Sequence, residues 1–322
     1  MELATVIFLF LVGIVFIVKG GDFFVDAASW IAEVSGIPKL IVGATIVSLA
    51  TTLPEMLVSV MAAAKGSVDM AIGNAVGSVT ANIGLIMAIS LICMPGIIKR
   101  ADYLMKSVLM LAASILIVLS GVAGEMGTAI TIAMMVIFFF FLWENVSSAK
   151  RSMKASADAA GRRKIEGKKE IAVNLVKFAV GAVGIVWGAD LLVDNGSALA
   201  AMVGVPERVI GVTIIAVGTS LPELVTTVTA IIKKQSSLSV GNILGANIID
   251  LTLILPLCSL VSGKALPIAA TSARYDLPAC LLVGCIAVIP AMVFQKFQKW
   301  QGILLLCVYA VYLYLTCSAI GV

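Results

Sequence analysis

GATIVSLATTLPEMLVSVMAAAK (residues 43–65) returns 168 residues later as GVTIIAVGTSLPELVTTVTAIIK (211–233). The match extends in both directions. GGDFFVDAASWIAEVSGIP (20–38) falls on GADLLVDNGSALAAMVGVP (188–206), and GNAVGSVTAN (73–82) falls on GNILGANIID (241–250). From 20 to 82 the register needs no gap, and 21 of the 63 pairs are identical. A shared apolar composition explains matching Leu and Val. It does not explain Gly, Pro, Glu, Asn, Asp and Lys matching in order, so the chain is an internal duplication.

Both copies lie in membrane-like sequence. The 322 residues are 61% hydrophobic and 12% charged, with a mean hydropathy of +1.13. A soluble domain is about 45–50% apolar and about 25% charged. Ten apolar runs read as spanning helices, near 3–19, 40–64, 70–95, 104–121, 127–145, 171–192, 208–232, 238–261, 277–294 and 301–319. The alternating short segments of a transmembrane β-barrel are absent. The expected fold class is an all-α polytopic membrane protein. The first run follows Met1-Glu2 with no basic segment and no small-residue cleavage site, so it reads as a retained helix rather than a signal peptide.

Charge sets the expected orientation. With the N-terminus outside, ten spans place residues 20–39, 96–106, 146–170, 233–237 and 295–300 inside. With Lys19 and Lys177 at inner helix ends, 18 of the 22 Lys and Arg then face the cytoplasm; Lys65, Arg208, Lys264 and Arg274 face out. Both termini are expected outside, in a cell membrane of prokaryotic type. The domains expected are 1–146, a basic cytoplasmic linker at 147–170, and 171–322. The linker reads as a solvated hinge that also fixes orientation; an anionic-lipid contact is the sharper alternative. Each copy holds five spans. Five is odd, so the second copy enters from the opposite side, giving two inverted five-helix repeats, an architecture used by transporters.

The composition also excludes chemistry. The chain has no histidine, which removes histidine proton relays and histidine metal sites. Its six cysteines lack metal-ligand spacing and read as buried thiols. The net charge of +4 follows from topology and gives no reason to expect nucleic acid. No cofactor is implied, and the oligomeric state is left open, a monomer being compatible.

The repeated motif places Pro54 beside Glu55, and Pro222 beside Glu223, inside apolar runs. A proline deletes a helical hydrogen bond, and a carboxylate at mid-membrane costs about 2.5–3.5 kcal/mol on insertion scales. Pro54 cannot bond to the carbonyl of Ala50, nor Pro222 to that of Gly218, so main-chain oxygens are freed where only protein, water or an ion can satisfy them. Thr51 and Glu55, like Thr219 and Glu223, stand four apart on one helix face, flanked by Ser48 and Thr52 or by Ala216 and Ser220. The next helix carries Asn74, Ser78 and Asn82, and in the second copy Asn242, Ala246 and Asp250. Gly73 and Gly77, with Gly241 and Gly245, read as small-residue seams for close helix approach. Asn74 and Asn242 read as interhelical hydrogen-bonding residues; Asn82 and Asp250 share the carboxylate face. Hydroxyls, carbonyls and carboxylates are hard oxygen ligands, suited to Na⁺ and Ca²⁺. No basic residue of the sequence lies at comparable depth to neutralise Glu55, Glu223 and Asp250, so a cation is expected to do so.

These two segments resemble the α-repeats of the calcium/cation antiporter superfamily, in its prokaryotic sodium/calcium exchanger branch. The resemblance covers both five-helix halves, and its specific part is G-x-T-x-x-x-x-x-T-[ST]-L-P-E followed by G-N-x-x-G-[SA]-x-x-x-[ND]. The cation/proton branch typically has glutamate where Gly77 and Gly245 stand, which favours sodium coupling. The resemblance implies that Glu55 and Glu223 bind Ca²⁺ and Na⁺ alternately, with Asn82 and Asp250 completing a central site. It implies that Ser48, Thr51, Thr52 and Ser78, with Ala216, Thr219 and Ser220, line flanking Na⁺ sites. It also implies that the first span of each half slides across the core, with Gly20, Gly21, Gly188 and the aspartate pairs Asp22/Asp190 and Asp26/Asp194 at the membrane faces. Ala246 departs from the serine usual there.

The function expected is Na⁺/Ca²⁺ antiport by alternating access, normally extruding Ca²⁺, with Na⁺, Ca²⁺ and membrane lipid as partners. H⁺- or K⁺-coupled exchange on the same scaffold is the nearest alternative, Asp250 keeping K⁺ open. A cation channel would not need two inverted cages. An intramembrane enzyme lacks the histidine or paired motif its chemistry requires.

Overall fold

The computed structural model describes residues 3–96, 100–158, 167–202, 218 and 220–319. Nearly all of them are helical. The first half runs through α1 (Leu3–Ser35), α2 (Lys39–Thr51), α3 (Leu53–Ala64), α4 (Val68–Cys93) and α5 (Arg100–Ala123), then a two-residue strand β1 (Glu125–Met126) and α6 (Thr128–Asp158). The second half runs through α7 (Lys168–Met202), α8 (Leu221–Ile232), α9 (Ser236–Ser262), β2 (Leu266–Pro267), α10 (Ser272–Phe294) and α11 (Lys299–Ala319). β1 pairs antiparallel with β2, Met126 opposite Leu266.

Among the described residues, eight helices are long and apolar enough to cross a membrane, and nine if α2 and α3 count as one broken span. α8 is a shorter apolar helix of 12 residues. The start of the span expected at 208–232 lies outside the described residues.

Helix ends differ from the expected span ends. α1 has 33 residues, about 50 Å at 1.5 Å per residue, and continues through the segment assigned to a cytoplasmic loop. Charge marks where a helix leaves the membrane, not where it stops. Nothing in 20–35 breaks a helix, whereas Gly36 takes a left-handed conformation (φ 72°) and Pro38 follows it. In the same way α6 and α7 extend into the basic linker from both sides.

Helices differ in what they face. Only 22% of the most apolar 18-residue window of α1 is buried, against 72% in α4 and 78% in α9. Phe8, Val15, Trp143, Trp187 and Val293 are exposed apolar side chains on the poorly buried helices. Such surface suits acyl chains and not water. α4 and α9, which carry the second part of the repeated motif, are interior helices.

The helices form two compact units, Met1–Thr51 with Asn145–Asn242, and Thr52–Glu144 with Ile243–Val322. Each draws on both copies of the duplication. In the first unit α1 lies along α7, and α8 packs on α1. A β-carbon on Gly20 would sit 2.9 Å from the carbonyl oxygen of Gly181, and one on Gly188 would sit 2.8 Å from the amide of Ile17. Only glycine lets these backbones approach so closely. Gly20 and Gly188 thus serve the helix seam itself. Gly241 makes a second seam, its α-carbon against the carbonyl of Leu40 on α2. Among the described residues nothing lies within 4 Å of a β-carbon built on Gly73 or Gly77, and the segment 203–217, which holds the repeat equivalent of Leu40, lies outside the described residues. In the second unit α3 packs on α4, and α10 on α5 and α11. Cys258 and Cys280 are buried as expected, while Cys93 and Cys307 are exposed.

Candidate functional site

Each Leu-Pro-Glu motif starts a helix, α3 in the first copy, at the break between α2 and α3, and α8 in the second. Thr52 (φ −81°, ψ −3°) precedes α3, and Ser220 (φ −89°, ψ 7°) precedes α8. Pro54 and Pro222 fall in the first turn, where a missing N–H has no helical partner to lose. Both helices run 12 residues, to Ala64 and Ile232, and are followed by Lys65 and Lys233 with nearly equal φ of −84° and −83°. The spellings Thr-x-x-Glu and Ser-x-x-Glu are those of a capping box, yet neither Thr52 nor Ser220 makes a side-chain cap bond. Glu55 and Glu223 remain in the first turn, where the positive end of the helix favours negative charge.

In the second unit, Glu55 on α3 is 1% exposed, and Ser78 and Asn82 on α4 are 3% and 1% exposed. Asp250 on α9 is likewise buried. Asn82 and Asp250, equivalent in the duplication, each open a π-helical turn, Asn82–Met87 and Asp250–Ile254. A π turn widens the helix and shifts its carbonyls out of the ordinary ladder, which is why such turns gather at ligand sites. α3 and α4 both pack against the turn that Asp250 opens. Asn74 Nδ2 donates to the main-chain oxygen of Glu55 (3.2 Å) and to Ser59 Oγ (2.9 Å), fixing α3 to α4 at the glutamate. Asn82 Nδ2 donates to Asn247 Oδ1 at 3.2 Å. Its Oδ1, and the Oγ of Ser78, are buried with no hydrogen-bond partner among the described residues.

In the first unit the same main-chain oxygen is held through a relay. Asn242 Nδ2 donates to Thr226 Oγ1 (2.9 Å), and Thr226 Oγ1 donates to the carbonyl of Glu223 (3.0 Å). The Thr51 hydroxyl lies 3.3 Å from both Asn242 Oδ1 and the carbonyl of Ser48. The Ser48 hydroxyl donates to the carbonyl of Thr45 at 3.2 Å. Glu223 is fully buried, and Ser220 Oγ is buried with no partner among the described residues.

Of the eleven residues expected at ion sites, Ser48, Thr51, Thr52, Glu55, Ser78, Asn82, Ser220, Glu223 and Asp250 are all buried. Ala216 and Thr219 lie outside the described residues. Asn74 and Asn242 make the interhelical bonds expected of them. Asn82 makes one too, to Asn247, a residue the motif reading passed over. Asn247 has a hydrophobic repeat partner, Val79, so the duplication gave no signal for it. Thr226 was missed in the same way, opposite Val58. Among the described residues no group of three or more Cys, Asp or Glu side chains is close enough to hold a metal ion.

The sequence profile of the family described as sodium/calcium exchanger protein matches residues 5–146 and 173–318, both halves of the duplication. The chain belongs to the sodium/calcium exchanger family. This is the prokaryotic branch of the calcium/cation antiporter superfamily, a family of ion-transporting exchangers rather than enzymes. The exchanger is 30% identical to the sodium/calcium exchanger MaX1 of Methanosarcina acetivorans, over 96% of this chain and 98% of that protein. It is 32% identical to the inner membrane protein YrbG of Escherichia coli, over 89% and 88% of the two chains. Among solved structures, the sodium-calcium exchanger NCX_Mj superposes with a TM-score of 0.79 at 28% identity, covering 96% of this chain and 98% of that one. The buried oxygens at these helix starts and π turns are hard ligands, the class that Na⁺ and Ca²⁺ prefer to nitrogen or sulfur.

Proposed function

We propose that this chain exchanges Na⁺ for Ca²⁺ by alternating access, extruding Ca²⁺ on the inward Na⁺ gradient across a prokaryotic cell membrane. Glu55 and Glu223 bind Ca²⁺ and Na⁺ in turn, and Asn82 and Asp250 complete the central ligand set. Ser48, Thr51, Thr52, Ser78, Ala216, Thr219 and Ser220 serve flanking Na⁺ through hydroxyls or main-chain carbonyls. The observation that carries this reading is the set of buried oxygens without a donor. Ser78 Oγ, Asn82 Oδ1 and Ser220 Oγ accept no hydrogen bond from any described residue, and each belongs to the same compact unit as a buried carboxylate. An unsatisfied buried acceptor costs about 1–3 kcal/mol, and a cation recovers that cost. Several Na⁺ neutralise the carboxylates, or one Ca²⁺ brings two charges to the same oxygens, so the two loads exclude one another.

The chain is read as ten spans in two inverted five-helix repeats, 1–146 and 171–322, joined by the linker 147–170, with both termini outside. Contacts between loops support this alternation of sides. Segments assigned to the inside meet one another: Lys233 pairs with Asp22 and Asp26 (3.2 and 2.8 Å), Lys39 Nζ donates to Gln235 (2.7 Å), Trp30 Nε1 donates to Glu170 (2.8 Å), and the amide of Phe297 donates to the carbonyl of Gly96 (2.8 Å). Segments assigned to the outside also meet, β1 with β2 and the amide of Ile268 with the carbonyl of Gly124 (2.9 Å). The glycine seam between α1 and α7 supports a gating pair that moves as one body.

The deciding measurement is ⁴⁵Ca²⁺ uptake into proteoliposomes holding an outward gradient of Na⁺, K⁺ or H⁺ in turn. Uptake driven by Na⁺ alone is the expected result. Uptake driven by K⁺ or H⁺ would reassign the coupling ion, and uptake with no counter-ion gradient would mean a channel.

A further inference from the structure

We infer that Asn247 is a positioning residue for ion exchange: it orients the Asn82 side chain so that the carbonyl oxygen, and not the NH₂ group, is presented to the transported cation. This deepens the reading of Asn82 as a ligand and rests on it. A side-chain amide has one end that accepts and one that donates, and a cation is attracted by the first and repelled by the second. Asn82 is 1% exposed, so bulk water is not available to satisfy either end. Its direction must be set by a neighbour.

The neighbours form a short polar chain whose direction follows from its last member. Asn247 is fully buried, and its Nδ2 lies 3.9 Å from the sulfur of Met110. A thioether carries no proton and only accepts. Asn247 therefore turns its NH₂ toward Met110 and its carbonyl toward Asn82, and Asn82 Nδ2 donates to that carbonyl at 3.2 Å. One end of Asn82 remains. Oδ1 is buried with no hydrogen-bond partner among the described residues, the open end of a chain in which every other polar atom is engaged. Both ends of Asn247 thus have a partner within the chain.

The duplication supplies an independent argument. The repeat partner of Asn82 is Asp250, and the repeat partner of Asn247 is Val79. A carboxylate has two equivalent accepting oxygens and presents one to a cation in either flip state, so it needs no orienting partner. An amide does. The repeat equivalent of the Asn82–Asn247 pair is Asp250 with Val79, so the register supplies an amide partner for the amide and a valine for the carboxylate.

The test is a double-mutant comparison on the purified full chain, with equilibrium ⁴⁵Ca²⁺ binding, Na⁺-driven ⁴⁵Ca²⁺ exchange and thermal unfolding measured together. Asn247→Leu removes the acceptor at similar volume. In the Asn82 background it should raise the half-saturating Ca²⁺ about tenfold, equivalent to ~1.4 kcal/mol. In the Asn82→Asp background, which has no amide to orient, the same substitution should change it by less than about twofold, the limit of ordinary additivity. Equal factors in the two backgrounds would mean that Asn247 acts through packing, and no effect in the Asn82 background would mean that it does not act at all; either overturns the inference. If Asn247→Leu does not fold, Asn247→Asp keeps the acceptor and should hold half-saturation within about threefold of wild type or tighten it, given charge-assisted bonding; a tenfold loss overturns the proposal. Failure of the exchange reading would appear separately, as wild-type chain that binds Ca²⁺ without Na⁺-driven uptake.

Discussion

Replacing Glu55 with Gln removes one negative charge while keeping the volume, the helix and one ligand oxygen. Glu55 is 1% exposed, so solvent does not screen the change. Coulomb energy scales with the product of the charges. At one site and one effective dielectric the loss for Ca²⁺ is therefore twice the loss for Na⁺, whatever that dielectric is. Contacts to a charged group contribute about 1.5–3 kcal/mol, roughly twice a neutral contact. Taking about 1.5 kcal/mol for Na⁺ gives about 3 kcal/mol for Ca²⁺, roughly a tenfold and a more than hundredfold loss of affinity. Stability should suffer little, because a charge in the first turn of a helix is worth about 0.3–1 kcal/mol. The expected outcome is a folded protein with no measurable Ca²⁺ exchange and a weaker, still detectable, Na⁺ interaction. Glu223→Gln should behave alike. Calorimetric titration with each ion, beside ⁴⁵Ca²⁺ flux in proteoliposomes, reads both numbers. Near-normal Ca²⁺ flux in either variant, or equal losses for the two ions, would refute the reasoning.

Three further outcomes follow from the same geometry. Lys65 and Lys233 occupy equivalent repeat positions, so cysteines placed there in a background without the six native thiols should label with an impermeant reagent from opposite sides of the membrane; labelling of both from one side would rule out the inverted topology. Ala246, fully buried on α9 where its repeat partner is Ser78, offers no oxygen, and Ala246→Ser should lower the external Na⁺ needed for half-maximal exchange by an amount on the order of 1–2 kcal/mol, with little change for Ca²⁺; an unmoved Na⁺ dependence would sink the flanking-site role of this position. Gly20→Leu should separate α1 from α7, since its β-carbon alone would meet the Gly181 carbonyl at 2.9 Å, with an overpacking cost of about 1–3 kcal/mol. Turnover should fall while equilibrium Ca²⁺ binding stays near wild type, and a parallel loss of both would argue against a gating role for the seam.

The sequence by itself determined the duplication and the membrane-spanning helical class, and it named eleven candidate site residues, of which the nine that the structure describes are buried. Those features are local or compositional. Apolar run length, Lys and Arg asymmetry and a register of 168 residues can be read along a line, and Leu-Pro-Glu carries its own cost inside an apolar run. Tertiary structure decided the rest. Helix ends moved because charge does not stop a helix, whereas Gly36 and Pro38 do. The backbone that meets Gly241 is that of Leu40, about 200 residues earlier, and a seam exists only where such a neighbour arrives, which the motif alone does not encode. The same limit hid Asn247. Its role depends on a partner 165 residues away and on a sulfur at Met110, and the direction of an amide is fixed by what surrounds it, which no spacing along the chain encodes.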